Sequence, residues 1–528
     1  MPGLEEDAYK KLINLQGVEA LSLEAALQAI GSLIDLADTL EREEGAVRAL
    51  EWSDSLERRS LPIAEAAVLE YFRANAWGAR QSIRHRDRAA AWGWEQPELQ
   101  KQIFHLRRAA NHPGFEKLDG LRQCQVLTNL GNQLNIVGRF VEALEPWARA
   151  LAIHPNFAMA LGNRGNGLGH YAKALYDGGH RALFLRFAYA DFAAALAPDA
   201  LYDSPQNDDV RSDFEARRKS IQALMGVQRL SKAFDLDSYE LGASEDEQDY
   251  RRWCLNRGLF LNPLNDLGKH TIAAQDVLTL PDFVTPIEEP PTLVGLFNQM
   301  KQEFVSARWL YYEGTRSEEA HYSDRRVLLY NTLDYPIYSL AIEKVKASFR
   351  STYSLFDKIG LFLDCYMKLG IRPEQISFRR IWQGKETTGR KTVRSEFEHS
   401  ENWPLRGLFW LSKDLFEVDF RDVMEPDAQA LHEIRNRLEH RYLKVHDVLF
   451  ESLRERNLAS SPWNDRLAFS IQRQDFEAKA LRLLKLARAA LIYVSLGMHA
   501  EERRRNAQKG DKAVMPMHLD TWDDGWKR

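Results

Sequence analysis

One stretch of the chain carries residue types suited to moving protons beside a phosphate. It reads Leu431-His432-Glu433-Ile434-Arg435-Asn436-Arg437-Leu438-Glu439-His440-Arg441-Tyr442. At about 100° per residue, Leu431, Ile434, Leu438, Tyr442, Val445 and Leu449 cluster within about 60° and predict a buried helical stripe. His440 falls about 180° from that stripe, with Asn436 about 40° away from it and Arg435 on the flank. His440 is therefore expected to face solvent or a second subunit. An imidazole titrating near neutrality can accept or give a proton, and a guanidinium can clamp a phosphate through paired hydrogen bonds. The competing reading is an ordinary exposed histidine on a solvated helix face.

The spacing alone is common. Arginine stands five residues before histidine seven times, at Arg80/His85, Arg107/His112, Arg149/His154, Arg316/His321, Arg394/His399, Arg435/His440 and Arg441/His446. Only Arg435 is followed by asparagine. A second cluster lies upstream in a polar segment, where Arg379, Arg380, Lys385, Arg390, Lys391 and Arg394 surround Trp382. Positive charge with an aromatic suits RNA, the cations neutralising the backbone and the ring stacking on a base. A solvated basic loop explains the same residues. Lys444 is added to this candidate RNA surface. Asp357 and Asp364 stand seven apart on one predicted helix and could bring an acidic group beside the motif. Phosphate-loop, dinucleotide, HExxH and GxSxG signatures are absent from the sequence, and neither metal nor cofactor is expected.

The elements that must hold these residues are helical. A chain of 528 residues is too long for one ordinary core, so several domains are expected. A net charge of −5 argues against bulk attachment to a polyanion, so any such site must be a local patch. Cys124, Cys254 and Cys365 form no CxxC pair, which argues against a zinc site and fits a reducing compartment. The acidic start of the chain lacks the pattern of a secretory signal, and Leu481 to Met498 is interrupted by Lys485 and Arg488. A cytoplasmic protein without a membrane partner is expected.

Residues 1–228 read as helix after helix. Leu127, Leu130, Gly131, Leu134, Gly138, Ala143, Trp147, Ala150 and Pro155 fall at the spacing of a tetratricopeptide (TPR) repeat. Small Gly131 and Ala143 let two antiparallel helices approach, while Trp147 fills the gap beside them. Leu161, Gly165 and Leu168 start a second repeat on schedule, and the late Pro198 predicts an insertion near Tyr176 to Gly179. Such a solenoid offers a face for an unknown protein or peptide. Residues 229–291 predict a connecting segment that packs against both neighbours. Residues 292–505 predict a bundle with helices near 292–313, 335–369, 404–417, 426–456 and 475–505, followed by a tail over 506–528. The fold class is all-α.

Arg435-Asn436-x-x-x-His440 resembles the R-x(4–6)-H signature of the HEPN superfamily, in which a polar residue commonly follows the arginine. The surroundings, including Leu405 to Leu415 and His440 to Val445, are similar to a bacterial branch of that superfamily with N-terminal TPR segments. The likeness covers roughly 292–505, and 250–266 also resembles material found in that branch. It implies a helical bundle that dimerises with the two motif helices facing across a cleft, and a metal-independent endoribonuclease. In that chemistry the 2′-hydroxyl loses a proton to a base, an acid protonates the leaving 5′-oxygen, and a 2′,3′-cyclic phosphate remains. Arg435 would hold the phosphate, His440 would transfer protons, and Asn436 would orient His440 or the phosphate. One histidine serves poorly as both base and acid, so two copies are implied. His440-x-Tyr442 also matches toxins of the superfamily that are silenced by modification of the tyrosine, although the predicted stripe makes Tyr442 a packing residue. A non-catalytic helical adaptor is the remaining alternative, and a role in stress or anti-phage defence is compatible with the resemblance.

Overall fold

The computed structural model describes residues 2–527 apart from 86–91, 205–206, 318, 331, 333, 388–389, 417–427, 448–466 and 509–514. Those residues form eighteen helices and two small sheets, an all-α architecture with minor strand content. Helices α1 (Pro2–Ile13), α2 (Leu23–Thr39), α3 (Glu43–Glu57) and α4 (Ile63–Arg84) close around Val18, Ile30, Leu33, Trp52 and Leu56. Ser22 starts α2 by accepting from the Ala25 N–H, which satisfies one of the orphan donors of the first turn.

Helix α5 (Pro97–Ala110) leads into two hairpins, α6 (Gly120–Ile136) with α7 (Phe140–Ile153) and α8 (Ala158–Ala174) with α9 (Gly178–Ala195). A Cβ on Gly131 would collide with the Trp147 indole, whose Nε1 donates to Asn132 at 3.1 Å. The missing side chain is what lets α6 and α7 meet. The insertion expected near Tyr176 to Gly179 is absent. Each hairpin turns in three residues, 137–139 and 175–177, and the extra length lies in α9, which has 18 residues against 14 in α7. Asp177 accepts from the His180 N–H and fixes that tight turn.

Helices α10 (Asp208–Met225), α11 (Val227–Ser231) and α12 (Glu245–Arg257) follow. The connecting segment packs on both sides. Asp266 accepts from the Tyr171 hydroxyl of α8 at 2.9 Å and from Arg488 near the chain's end at 2.6 Å. The remaining helices are α13 (Thr292–Arg316), α14 (Leu340–Met367), α15 (Ser395–Glu398), α16 (Trp403–Phe416), α17 (Ala428–His440) and α18 (Arg473–Gln508). Helix α18 is buried through Leu483 to Met498 and is covered by α13, α14 and α16. Among the described residues, no helix is long and apolar enough to cross a membrane.

Strands β1 (Gln383–Thr387) and β2 (Arg390–Val393) form an antiparallel hairpin. The helix expected over 426–456 stops at His440. Tyr442–His446 is instead β3, parallel to β4 (Ala468–Gln472), while Leu449 lies outside the described residues. Leu443 and Val445 alternate with period two, so a strand buries them as well as a helix would, and pairing with β4 satisfies the backbone. The buried stripe therefore ends at Leu438, and Tyr442 is 40% exposed, not part of the core.

One apolar cluster runs from Ala67 to Met498 without a seam between the hairpins and the bundle. Phe140 stacks on Trp403 at 4.4 Å between centroids. Gly138, at φ +88°, brings its carbonyl against Gly407 so closely that a Cβ on either residue would clash. Beside them Asp414, fully buried on α16, accepts from Arg107 at 2.9 Å and from Arg139, which also pairs with Glu142.

Candidate functional site

Leu431, Ile434 and Leu438 are buried and press α17 against the bundle, the face that the periodicity predicts. That rotation turns Arg435 toward α14, where its guanidinium lies 5.8 Å over the Tyr353 ring. Arg350 of α14 donates to the Leu438 carbonyl at 3.1 Å, so the last turn of α17 is held by a side chain. Between the two helices and the segment after α14 lies a pocket of about 400 Å³, lined by Tyr353, Asp357, Arg379, Arg380, His432 and Arg435 among others.

The pocket wall carries three guanidiniums, of Arg435, Arg379 and Arg380, against two carboxylates, of Asp357 and Glu374. Several buried arginines elsewhere are paired with carboxylates, Arg73 with Glu70, Arg308 with Asp276 and Arg488 with Asp266, while buried Arg406 donates to the Ile136 and Gly93 carbonyls. By contrast, Arg435, Arg379 and Arg380 form no ion pair with a carboxylate among the described residues. Asp357 lines the pocket, but its Oδ1 accepts from the Phe378 N–H at 3.1 Å, and burial pushes its carboxyl above the ordinary range. Asp364, its expected companion, accepts from the Ile371 N–H away from the pocket.

The motif residues do not converge within one chain. His440 is exposed at the last position of α17 and makes no hydrogen bond or ion pair among the described residues. It is separated from Arg435 by about 7.5 Å of helical rise and about 140° of rotation. Asn436, which the resemblance implies orients His440 or the phosphate, leans toward His432. Its Oδ1 accepts from Arg435 at 3.3 Å, and its Nδ2 stands 3.1 Å from His432 Nδ1. Helical side chains tilt toward the N-terminus, so residue 436 meets residue 432 sooner than residue 440. His432 is a member of the site that sequence reasoning overlooked. The available signal was the i, i+4, i+8 series His432, Asn436, His440. Burial first, then the neighbouring Arg435, lowers the imidazole's affinity for a proton below its usual level.

The basic segment divides. Arg379 and Arg380 reach the pocket, and Lys385, Arg390 and Lys391 lie on the β1–β2 hairpin. Arg394 is half-buried and donates to the Ile381 carbonyl at 3.1 Å. Trp382 is not available to stack on a base. It is 2% exposed, with ring centroids 5.0 Å from Phe397 and 6.0 Å from both Trp94 and Phe409. An aromatic among cations proves here to be the plug that anchors the hairpin. Lys444 is likewise withdrawn from the RNA surface, because it is buried in β3 and its Nζ pairs with Asp334 at 2.6 Å.

Fold and site together define an all-α protein with a motif helix set against a cationic pocket. Residues 284–501 match the family model described as LA2681-like HEPN, which supports a HEPN-superfamily protein. Searches of curated proteins and of solved structures return no match.

Proposed function

We propose that the chain is a metal-independent endoribonuclease acting as a HEPN dimer, with Arg435 and His440 as the phosphate clamp and proton-transfer group. The observation that carries this reading is Arg435, a half-buried guanidinium over Tyr353 that shares a pocket with Arg379 and Arg380 and forms no direct ion pair among the described residues, the Asp357 carboxylate acting on it only at longer range. Three guanidiniums against two carboxylates leave the pocket wall net positive, which favours an anionic ligand. RNA supplies that anion, and the match to a HEPN family favours RNA over other phosphates.

A second copy meeting the exposed end of α17 would supply the second imidazole. Val327, Leu328, Leu329 and Tyr330 are 54–81% exposed in a loop tied at its far end to β3 through Asp334 and Lys444, next to that helix end. An exposed apolar run of this kind favours a contact between copies. The regions 1–228, 229–291, 292–505 and 506–528 would serve as TPR-like partner-binding repeats, packing segment, HEPN bundle and tail. The cytoplasm is the proposed compartment, and defence against stress or phage the proposed setting. Incubation with total RNA in the presence of a chelator should yield new fragments ending in 2′,3′-cyclic phosphate. Their absence, with and without the partner of the repeats, removes the enzyme reading and leaves an adaptor.

The 40% exposure of Tyr442, immediately beyond α17, favours a second reading in which modification of its hydroxyl silences the site. Intact-mass measurement of protein from its native host should show an added nucleotide that is lost in Tyr442→Phe. An unmodified, inactive native protein counts against it.

A further inference from the structure

The ribonuclease reading needs Arg435 and His440, yet the pocket beside α17 contains Arg435 without His440. Its other cationic residues come from a different element, Arg379 and Arg380 after α14. His432 also lines the pocket, its ring beside the Asn436 amide, whose Nδ2 stands 3.1 Å from Nδ1 and 3.5 Å from Nε2. Arg435 donates to Asn436 Oδ1, so the Asn436 amide nitrogen is the end presented to His432 Nδ1. The three guanidiniums are donors only and outnumber the two carboxylates on the wall, Asp357 and Glu374. The volume of about 400 Å³ is of the size of one nucleotide.

We propose that this pocket is a phosphate-binding subsite, in which Arg435, Arg379 and Arg380, with the His432 ring beside them, hold the phosphate of a nucleotide. The phosphate belongs either to an RNA chain, next to the bond that is cut, or to a free nucleotide that occupies the pocket by itself. His440 lies about 12 Å of helical rise from His432, so within one chain the bound phosphate is not the one that His440 serves. The subsite rests on the ribonuclease reading only where the phosphate is that of RNA. The groups facing His432 are Arg435 and Glu433 on its own helix, Tyr353 and Asp357 on α14, and Glu374, Arg379 and Arg380 on the segment beyond.

The test is equilibrium binding to the full-length protein, with three probes: a short 2′-O-methyl RNA that cannot be cleaved, adenosine 5′-monophosphate and inorganic phosphate. Arg379→Glu with Arg380→Glu should weaken binding of the organic probes by about tenfold or more, and phosphate should compete with them. His432→Leu should weaken binding in the same direction with unchanged thermal stability. Should that variant unfold, the paired surface reversals still decide the matter. Binding of RNA alone assigns the subsite to the RNA chain, and binding of the mononucleotide alone assigns it to a free nucleotide. Binding unaffected by the reversals, or no binding of any probe, overturns the subsite. Loss of binding in the reversals from a wild type that cuts no RNA leaves the subsite standing and removes the ribonuclease reading.

Discussion

Arg435→Ala is expected to lower RNA cleavage by about two orders of magnitude or more, the usual loss when a group that stabilises developing negative charge is removed. The cost to folding should be small. Arg435 contributes to α17 a contact over Tyr353 and one hydrogen bond to Asn436, while Leu431, Ile434 and Leu438 hold the helix. A stacked guanidinium of this kind is worth about 0.5–1 kcal/mol. Activity and stability should therefore separate. Arg435→Lys should restore part of the rate, because it keeps the charge but not the planar pair of donors. His440→Ala should be as inactive as Arg435→Ala and even less destabilised, since its ring is exposed and makes no hydrogen bond among the described residues. The assay is cleavage of total RNA under chelator, read beside thermal unfolding of each variant. Full activity in Arg435→Ala would remove the guanidinium from the chemistry.

The largest stability effect is expected at Asp414. Its carboxylate is fully buried and is shared by Arg107 of α5 and Arg139 of the first hairpin turn, themselves buried. Removing one member of a buried ionic group leaves the others charged in a medium that solvates them poorly, a loss of about 3–5 kcal/mol. Asp414→Ala should therefore lower the thermal transition markedly and loosen the helical hairpins from the bundle. Because the carboxylate serves two guanidiniums, Arg107→Leu combined with Asp414→Ala should recover part of the loss by removing one of the charges left behind. Calorimetry with limited proteolysis between the hairpins and α16 provides the measurement. A variant that melts with wild type and resists protease equally would show that Asp414 does not hold the two parts together.

These two residues also mark where the sequence was and was not informative. The helical class, the close approach at Gly131 and the rotation of α17 were legible, because each follows from spacing along one element. Leu431, Ile434 and Leu438 are buried as the period of 3.6 requires. Arg435 and His440 stood out by residue type. Residues without a period of their own were misplaced. Trp382, among six cations, reads as a stacking platform, but it is buried against Trp94, a residue nearly three hundred positions away. Nothing local to residue 382 encodes that contact. Lys444 and Tyr442 were misjudged because Leu443 and Val445 fit a strand as readily as a helix, and the choice depended on β4.

By itself, then, the sequence determined which residues could do chemistry and which helix face carries them, since both depend on side-chain type and a fixed angular step. Tertiary structure alone decided that Arg435 shares a pocket with His432, Arg379 and Arg380 while His440 stands outside it. That grouping depends on how α17 docks on α14 and on where the chain returns after Met367. Docking of that kind is set by packing between distant elements, which no spacing within one of them records.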